Sequence, residues 1–370
     1  MIDFGQRALP GVRGLRAYDP GHDLVALRRQ FEQPLVELGS NENPYGASPR
    51  AVQAAGAALE RMHVYPDPRG GDLKRALAWH HRVESASIVL GNGSHELLMQ
   101  FAQVFAGPGD EVVASQFGFA VYALAAQAAG AALMVAPAHS SGHAMPRGHD
   151  LEALLAAVGP KTRLVFLANP NNPTGTWFSH DSFAAFMARV PEDVIVVIDE
   201  AYAEFVDAPE CASALSLLPE YPNLVVTRTF SKAYALAGVR VGYAIAHPDC
   251  IAVMERVRES FNVNAPGLAA AEAALGDVEH LQAAVDGNRV QREALASALR
   301  VWGLVVAPSQ TNFLLVEFGP ETDRVEAALR QRGIVVRPVG GYGLGDCLRI
   351  TVGTAEENAR LLVALGAVFA

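Results

Sequence analysis

The chain has 370 residues, of which 51% are apolar and 18% charged, so it can bury a large core in more than one packing unit and is too apolar for an extended disordered chain. A formal charge of −10, spread without acidic blocks, excludes a surface built for nucleic acid, because a polyanion is repelled overall. Cys211, Cys250 and Cys347 are odd in number and far apart, which excludes a disulfide framework and a cysteine zinc site and fits a protein of the reducing cytoplasm.

Residues 1–40 carry Gly, Pro and Arg without periodicity and are expected to form an arm that packs with a later, smaller domain. The opening MIDFGQRALPGVRGLRAY has no apolar run behind its charges, and no stretch reaches the roughly 18 apolar residues of a membrane span. Neither a signal peptide nor a span is expected. Apolar spacing predicts helices over 49–61 and 71–82, and a third opening at Ser94 with Leu97, Leu98, Phe101 and Val104 on one face.

Short Val/Ile/Leu runs then alternate with helix-length segments, at 111–115, 132–136, 163–168, 193–199, 223–227 and 242–246. Continuous apolar strands of this kind indicate a mainly parallel sheet buried on both faces and sandwiched by helices. This is an α/β fold, with a large domain expected over 41–262. From 263 to 370 the pattern becomes a smaller α+β domain, with a long helical stretch at 266–302, strands at 312–318, 333–338 and 347–352, and helices at 322–331 and 355–369. In open α/β sheets, sites form beyond the carboxyl ends of the strands.

Polar clusters fall at those ends. DVIVVID closes on Asp199 and continues through Glu200 and Ala201 to Tyr202, and a carboxylate at the end of an apolar strand needs a cation or hydrogen-bond donors. RLVFLA is followed by Asn169, Pro170, Asn171, Asn172, Pro173, Thr174 and Gly175, a stiff turn that presents amides. GNGSHE puts two glycines before Ser94 at a helix start, which suits a phosphate and reads equally as a glycine turn with a capping serine. TFSKAYALAGVR sets Lys232 beside Ser231 and places Arg240 eight residues on. Burial would drive such a lysine towards the neutral amine that attacks carbonyls, although an SK pair by itself also fits a surface loop. The histidines show no HExxH spacing, and no metal is expected.

Together NPNNPTG, DEAY and SKAYALAGVR, with 27 residues from Asn172 to Asp199 and 33 from Asp199 to Lys232, resemble the fold type I pyridoxal-phosphate enzymes of the aspartate aminotransferase superfamily. ELGSNENPYGASP at 37–49, VYPDP at 64–68 and RPVGGYGLGDCLRITVGT at 337–354 narrow the resemblance to the histidinol-phosphate aminotransferase family, over nearly the whole chain. The resemblance implies that Lys232 forms the Schiff base with pyridoxal phosphate and moves the proton between Cα and C4′. It implies that Asp199 pairs with the pyridine nitrogen, and that Tyr202 and Asn172 bond the phenolic oxygen. Phe119 matches the stacking ring, with Phe117 a competitor, because SQFG stands where a proline-containing turn is commoner. Ser231, Arg240 and the backbone at Ser94 and His95 match the phosphate seat; His95 stands where aspartate is usual. Arg349, Arg337, Tyr18 and Asn43 match substrate contacts, and Tyr65 matches a tyrosine that crosses the interface of a homodimer.

The implied activity is amino transfer between L-histidinol phosphate and 2-oxoglutarate in histidine biosynthesis, giving imidazole acetol phosphate and glutamate. An aromatic amino-acid aminotransferase on the same frame, and a lyase resembling threonine-phosphate decarboxylase, are the competing expectations. Neither nucleic acid nor a membrane is expected as a partner.

Overall fold

The computed structural model describes residues 2–15 and 21–369. Its strands are β1 (Val36–Leu38), β2 (Ile88–Gly91), β3 (Glu111–Ser115), β4 (Ala132–Ala136), β5 (Thr162–Ala168), β6 (Ile195–Asp199), β7 (Leu224–Thr229), β8 (Gly242–Ala246), β9 (Val305–Val306), β10 (Phe313–Glu317), β11 (Ile334–Val339) and β12 (Leu344–Thr351). The apolar runs that read as continuous strands form one seven-stranded sheet in the order β2-β8-β7-β6-β5-β3-β4. β4, β3, β5, β6 and β7 pair in parallel, and β8 lies antiparallel to both β7 and β2. β2 was not expected from the sequence, since its four residues follow a helix too closely for an alternating pattern to show.

Helices cover both faces of this sheet, which is why its strands are apolar throughout. Leu98, Phe101, Val121 and Tyr122, from the helices Ser94–Phe105 and Ala120–Ala129, pack with Val112, Phe166 and Val197. Leu154, Phe183, Phe186 and Met187 pack with Val113, Val165 and Val196 on the opposite face.

A second sheet, in the order β1-β11-β12-β10-β9, is formed by the C-terminal strands and one strand from the N-terminal segment. β1 pairs in parallel with β11, Val36 opposite Ile334. That pairing carries Gly39, Ser40 and Asn41 out of the strand and towards the large sheet. The core of this unit joins Val36, Leu38, Leu314, Ile350, Leu329 and Leu361.

The helical pattern over 266–302 is two helices, Ala265–Leu275 and Val278–Val301. The break lies at Gly276 and Asp277, where the Asp277 carboxylate accepts from Ser48 Oγ. Apolar periodicity continues across the break and conceals it, since both helices bury one stripe against different neighbours: Ala270 and Ala274 against Leu73 and Leu77, and Leu295 and Leu299 against the second sheet. Among the described residues, no helix is long and apolar enough to cross a membrane. Cys211, Cys250 and Cys347 are free thiols.

Candidate active site

β5, β6 and β7 end side by side, Ala168 opposite Asp199 and Asp199 opposite Thr227, so three polar loops leave the sheet at one point. Beyond them is a cavity of about 330 Å³, lined by residues from both sheets. Lys232, Asp199, Tyr202, Asn172, Ser94, His95, Phe119, Ser231, Arg240, Arg337 and Arg349 all reach it. Tyr18 lies outside the described residues.

Asp199 is 5% exposed. Its Oδ1 accepts from Thr227 Oγ1 at 3.1 Å and its Oδ2 from the Tyr122 hydroxyl at 3.4 Å. Burial pushes the carboxyl up to about 6, against the pull of those hydroxyls. A cation brought against it would restore the charge.

Lys232 Nζ donates to the backbone oxygens of Ser40 at 3.2 Å and Asn41 at 3.3 Å, and lies 5.9 Å from the centre of the Tyr202 ring. Burial, reinforced by the Arg349 guanidinium, lowers its ammonium to about 7, so near neutral pH much of it is free amine. Lys74 and Lys161, the other lysines of the chain, are respectively paired with Glu255 at 3.0 Å and exposed on the surface.

The glycine turn before Ser94 brings a helix start against the Arg240 guanidinium, an arrangement that can receive an anion. Gly93 takes the cap position with φ 82°, no side chain caps the helix, and Ser94 is its first residue, so the capping reading of Ser94 does not hold. A Cβ at Gly93 would collide with the Arg240 guanidinium, and one at Gly242 with the backbone of Gly93 and Ser94. Only glycine lets these segments converge. Arg240 donates to Ser231 Oγ at 3.2 Å and to the Asn92 oxygen at 3.4 Å. His95 is lowered by burial and then by Arg240, so its imidazole stays neutral beside that arginine.

Of the asparagines in NPNNPTG, only Asn172 lines the cavity; Asn169 bonds the Phe178 backbone and Asn171 the Phe117 oxygen and Thr174. Phe119 lines the cavity, whereas Phe117 packs with Leu315, Val339 and Leu344. Arg349 sits in β12 directly opposite Arg337 in β11. Its guanidinium donates to Asn172 Oδ1 at 2.6 Å and to the Gly39 oxygen at 2.7 Å, over the Phe313 ring.

Two expected residues lie elsewhere. Asn43 braces the loop behind the lysine, donating to the Ala233 oxygen at 2.8 Å. Tyr65 is 79% exposed, stacked on Phe261 with ring centres 4.6 Å apart, beside a separate hollow. Asn41, Thr229, Thr227 and Tyr122, by contrast, were not singled out from the sequence. Asn41 stands two residues before Asn43 in the same motif, and Tyr122 ends FAVY; a hydroxyl three residues after an aromatic carries no signal of its own.

His149 supports the wall from behind, its Nε2 accepting from the Ala168 N–H at 3.2 Å. It is 5% exposed, and burial lowers it from 6.5 to about 4. The unfolded chain therefore takes up this proton first as pH falls, and stability is lost between about 6.5 and 4. The expected effect is up to about 3 kcal/mol, read as a falling melting temperature over that window. His149→Gln is expected to flatten the fall; an unchanged slope would show that other groups cause it.

An amine near neutrality, a buried carboxylate, a phenol, an aromatic face and an arginine-backed helix start are the donor set that pyridoxal phosphate requires. Comparison with known proteins agrees. The family described as aminotransferase class I and II matches residues 33–365. The chain is 47% identical over 359 residues to histidinol-phosphate aminotransferase 2 of Methylococcus capsulatus, with 97% of each covered. The crystal structure of histidinol-phosphate aminotransferase from Sinorhizobium meliloti in complex with pyridoxal-5'-phosphate is similar at a TM-score of 0.88 and 33% identity, over 98% of this chain and 97% of that one. Aspartate aminotransferase from Thermus thermophilus shares the fold, with a TM-score of 0.82 and 24% identity over 93% of this chain and 94% of that one. The chain therefore belongs to the aminotransferase class I and II family, among the histidinol-phosphate aminotransferases of the aspartate aminotransferase fold, and is a pyridoxal-phosphate-dependent transaminase.

Proposed function

We propose that the enzyme moves an amino group between L-histidinol phosphate and 2-oxoglutarate, as a step of histidine biosynthesis in the cytoplasm. The observation that carries the substrate class is the Arg337 and Arg349 pair, two guanidinium groups facing one cavity in addition to Arg240. One fork can take a carboxylate and two can take a dianion, so a phosphate monoester and a dicarboxylate fit in turn. The name borne by the full-length relative supports the same choice.

Pyridoxal phosphate, when bound, supplies an electron sink for the electrons left at substrate Cα. Lys232 Nζ removes the Cα proton, a task suited to an amine of pKa about 7. Asp199 keeps the ring nitrogen protonated, and Tyr202 and Asn172 hold the phenolic oxygen. Phe119 covers the ring. Ser231, Arg240 and the N–H groups of Ser94 and His95 hold the cofactor phosphate. Arg349 and Arg337 take the substrate side.

Half-reactions with single amines test the assignment: histidinol phosphate is expected to bleach the cofactor absorbance, and phenylalanine to do so far more slowly. A response to phenylalanine alone would overturn it. Arg337→Ala is expected to raise KM for the phosphorylated amine about ten- to hundredfold through loss of a charged hydrogen bond, leaving phenylalanine unaffected. Equal losses with both amines would remove Arg337 from phosphate recognition.

A homodimer is part of the same reading. Tyr65, 79% exposed, and Phe261, stacked on it, present an aromatic surface that a second copy would cover. Sedimentation is expected to give twice the chain mass, and Tyr65→Ala to weaken cofactor retention. A monomer with full activity would contradict this.

A further inference from the structure

Asn41 is 1% exposed, and its φ of 55° lies in the left-handed region that asparagine tolerates better than most residues. Its Nδ2 donates to the Tyr202 hydroxyl oxygen at 3.0 Å. Thr351 decides which end of the amide faces that phenol. Thr351 Oγ1 accepts from the Asn41 backbone N–H at 2.9 Å and spends its single hydrogen on Asn41 Oδ1 at 3.2 Å, so the amide nitrogen is left for Tyr202. A hydroxyl oxygen that accepts from Asn41 keeps its own hydrogen to donate. Burial raises the Tyr202 phenol above its ordinary range, so that hydrogen is retained at neutral pH.

We propose that Asn41 is a positioning residue that sets the polarity of Tyr202, holding the phenol oxygen as acceptor so that its hydrogen is directed at the phenolic oxygen of the cofactor. This rests on the assignment of Tyr202 to that oxygen. The Asn41 backbone oxygen also accepts from Lys232 at 3.3 Å and from Asn312 at 3.0 Å, so one buried residue ties the phenol and the amine together. Thr351 follows Arg349 by two positions on β12 and lies opposite Phe313, over whose ring the Arg349 guanidinium sits. The strand that carries the anion-binding arginine thereby also orients the phenol.

A donor at the phenolic oxygen favours its ionised form. Losing that donor therefore raises the pH midpoint at which the absorbance of the bound cofactor changes. Titrations of purified holoenzyme are expected to show a rise of about one pH unit for Tyr202→Phe, the loss of one hydrogen bond to a charged group. Asn41→Gly, which keeps the left-handed backbone, and Thr351→Val, which keeps the side-chain shape, are expected to shift the midpoint in the same direction by less. In the Tyr202→Phe background Asn41→Gly is expected to add nothing, because its effect passes through the phenol.

Wild-type midpoints in both Asn41→Gly and Thr351→Val, with Tyr202→Phe shifted, would overturn the role of Asn41. So would an additive shift in the double variant. An unshifted Tyr202→Phe would instead remove the assignment of Tyr202 itself, and the proposal with it.

Discussion

Lys232→Ala is expected to abolish covalent attachment of pyridoxal phosphate and to lower kcat by at least 10²–10⁴-fold, the usual contribution of a positioned proton-transfer group. Of the three lysines, Lys74 is held by Glu255 and Lys161 is exposed, so no second amine can substitute. Borohydride reduction followed by peptide mass analysis checks the attachment: the wild type is expected to carry the adduct on the Lys232 peptide and the variant to carry none. The pH dependence has a definite sign. Burial and Arg349 lower the ammonium to about 7, so acylation of Lys232 in the protein freed of cofactor is expected to rise through pH 7 and level off above it. A profile still climbing at pH 10 would mean an ordinary solvated lysine.

Asp199→Asn is expected to lower kcat by roughly 10²–10⁴-fold, because leaving a buried charge unpaired costs about 3–5 kcal/mol and each 1.4 kcal/mol is a factor of ten. Asp199→Glu keeps the charge and is expected to recover part of the loss. The carboxyl stands at about 6 against an ordinary 3.8, with burial the dominant cause. Between those values the folded state holds a proton that the unfolded chain has released, so ionising Asp199 costs stability as pH rises through this window. A ring cation reverses the cost. Pyridoxal phosphate is therefore expected to bind more weakly to the wild type as pH falls through about 6, and Asp199→Asn to show no such dependence there. Equilibrium dialysis across that range separates the two, and an Asp199→Asn enzyme with wild-type kcat would reject the ring-nitrogen role.

Much of this architecture is legible because it is local. Glu111–Ser115, Ala132–Ala136 and Gly242–Ala246 coincide with the expected strands, and Ala355–Phe369 with the expected last helix. Apolar period and turn residues report directly on such elements. The cofactor motifs are equally local, since a strand end, a stiff turn and a glycine loop each occupy a few consecutive residues. Where local pattern is ambiguous, it misleads. Apolar spacing runs unbroken through Gly276 and Asp277, and nothing near Asp277 in sequence reveals that Ser48 takes its carboxylate.

The α/β class, the places of Lys232 and Asp199 at strand ends, and the glycine turn before Ser94 at a helix start are legible along the chain, because each depends on residue types held close in sequence. Contact between distant segments set the rest. It set Arg337 opposite Arg349 through strand register, turned Phe119 and not Phe117 into the cavity, and brought Tyr122 and Thr227 to Asp199. It also made Asn41 the partner of Tyr202 across 161 residues of sequence. A hydrogen bond needs its atoms within about 3 Å and aligned, and no pattern along a chain encodes which remote residue will meet that requirement.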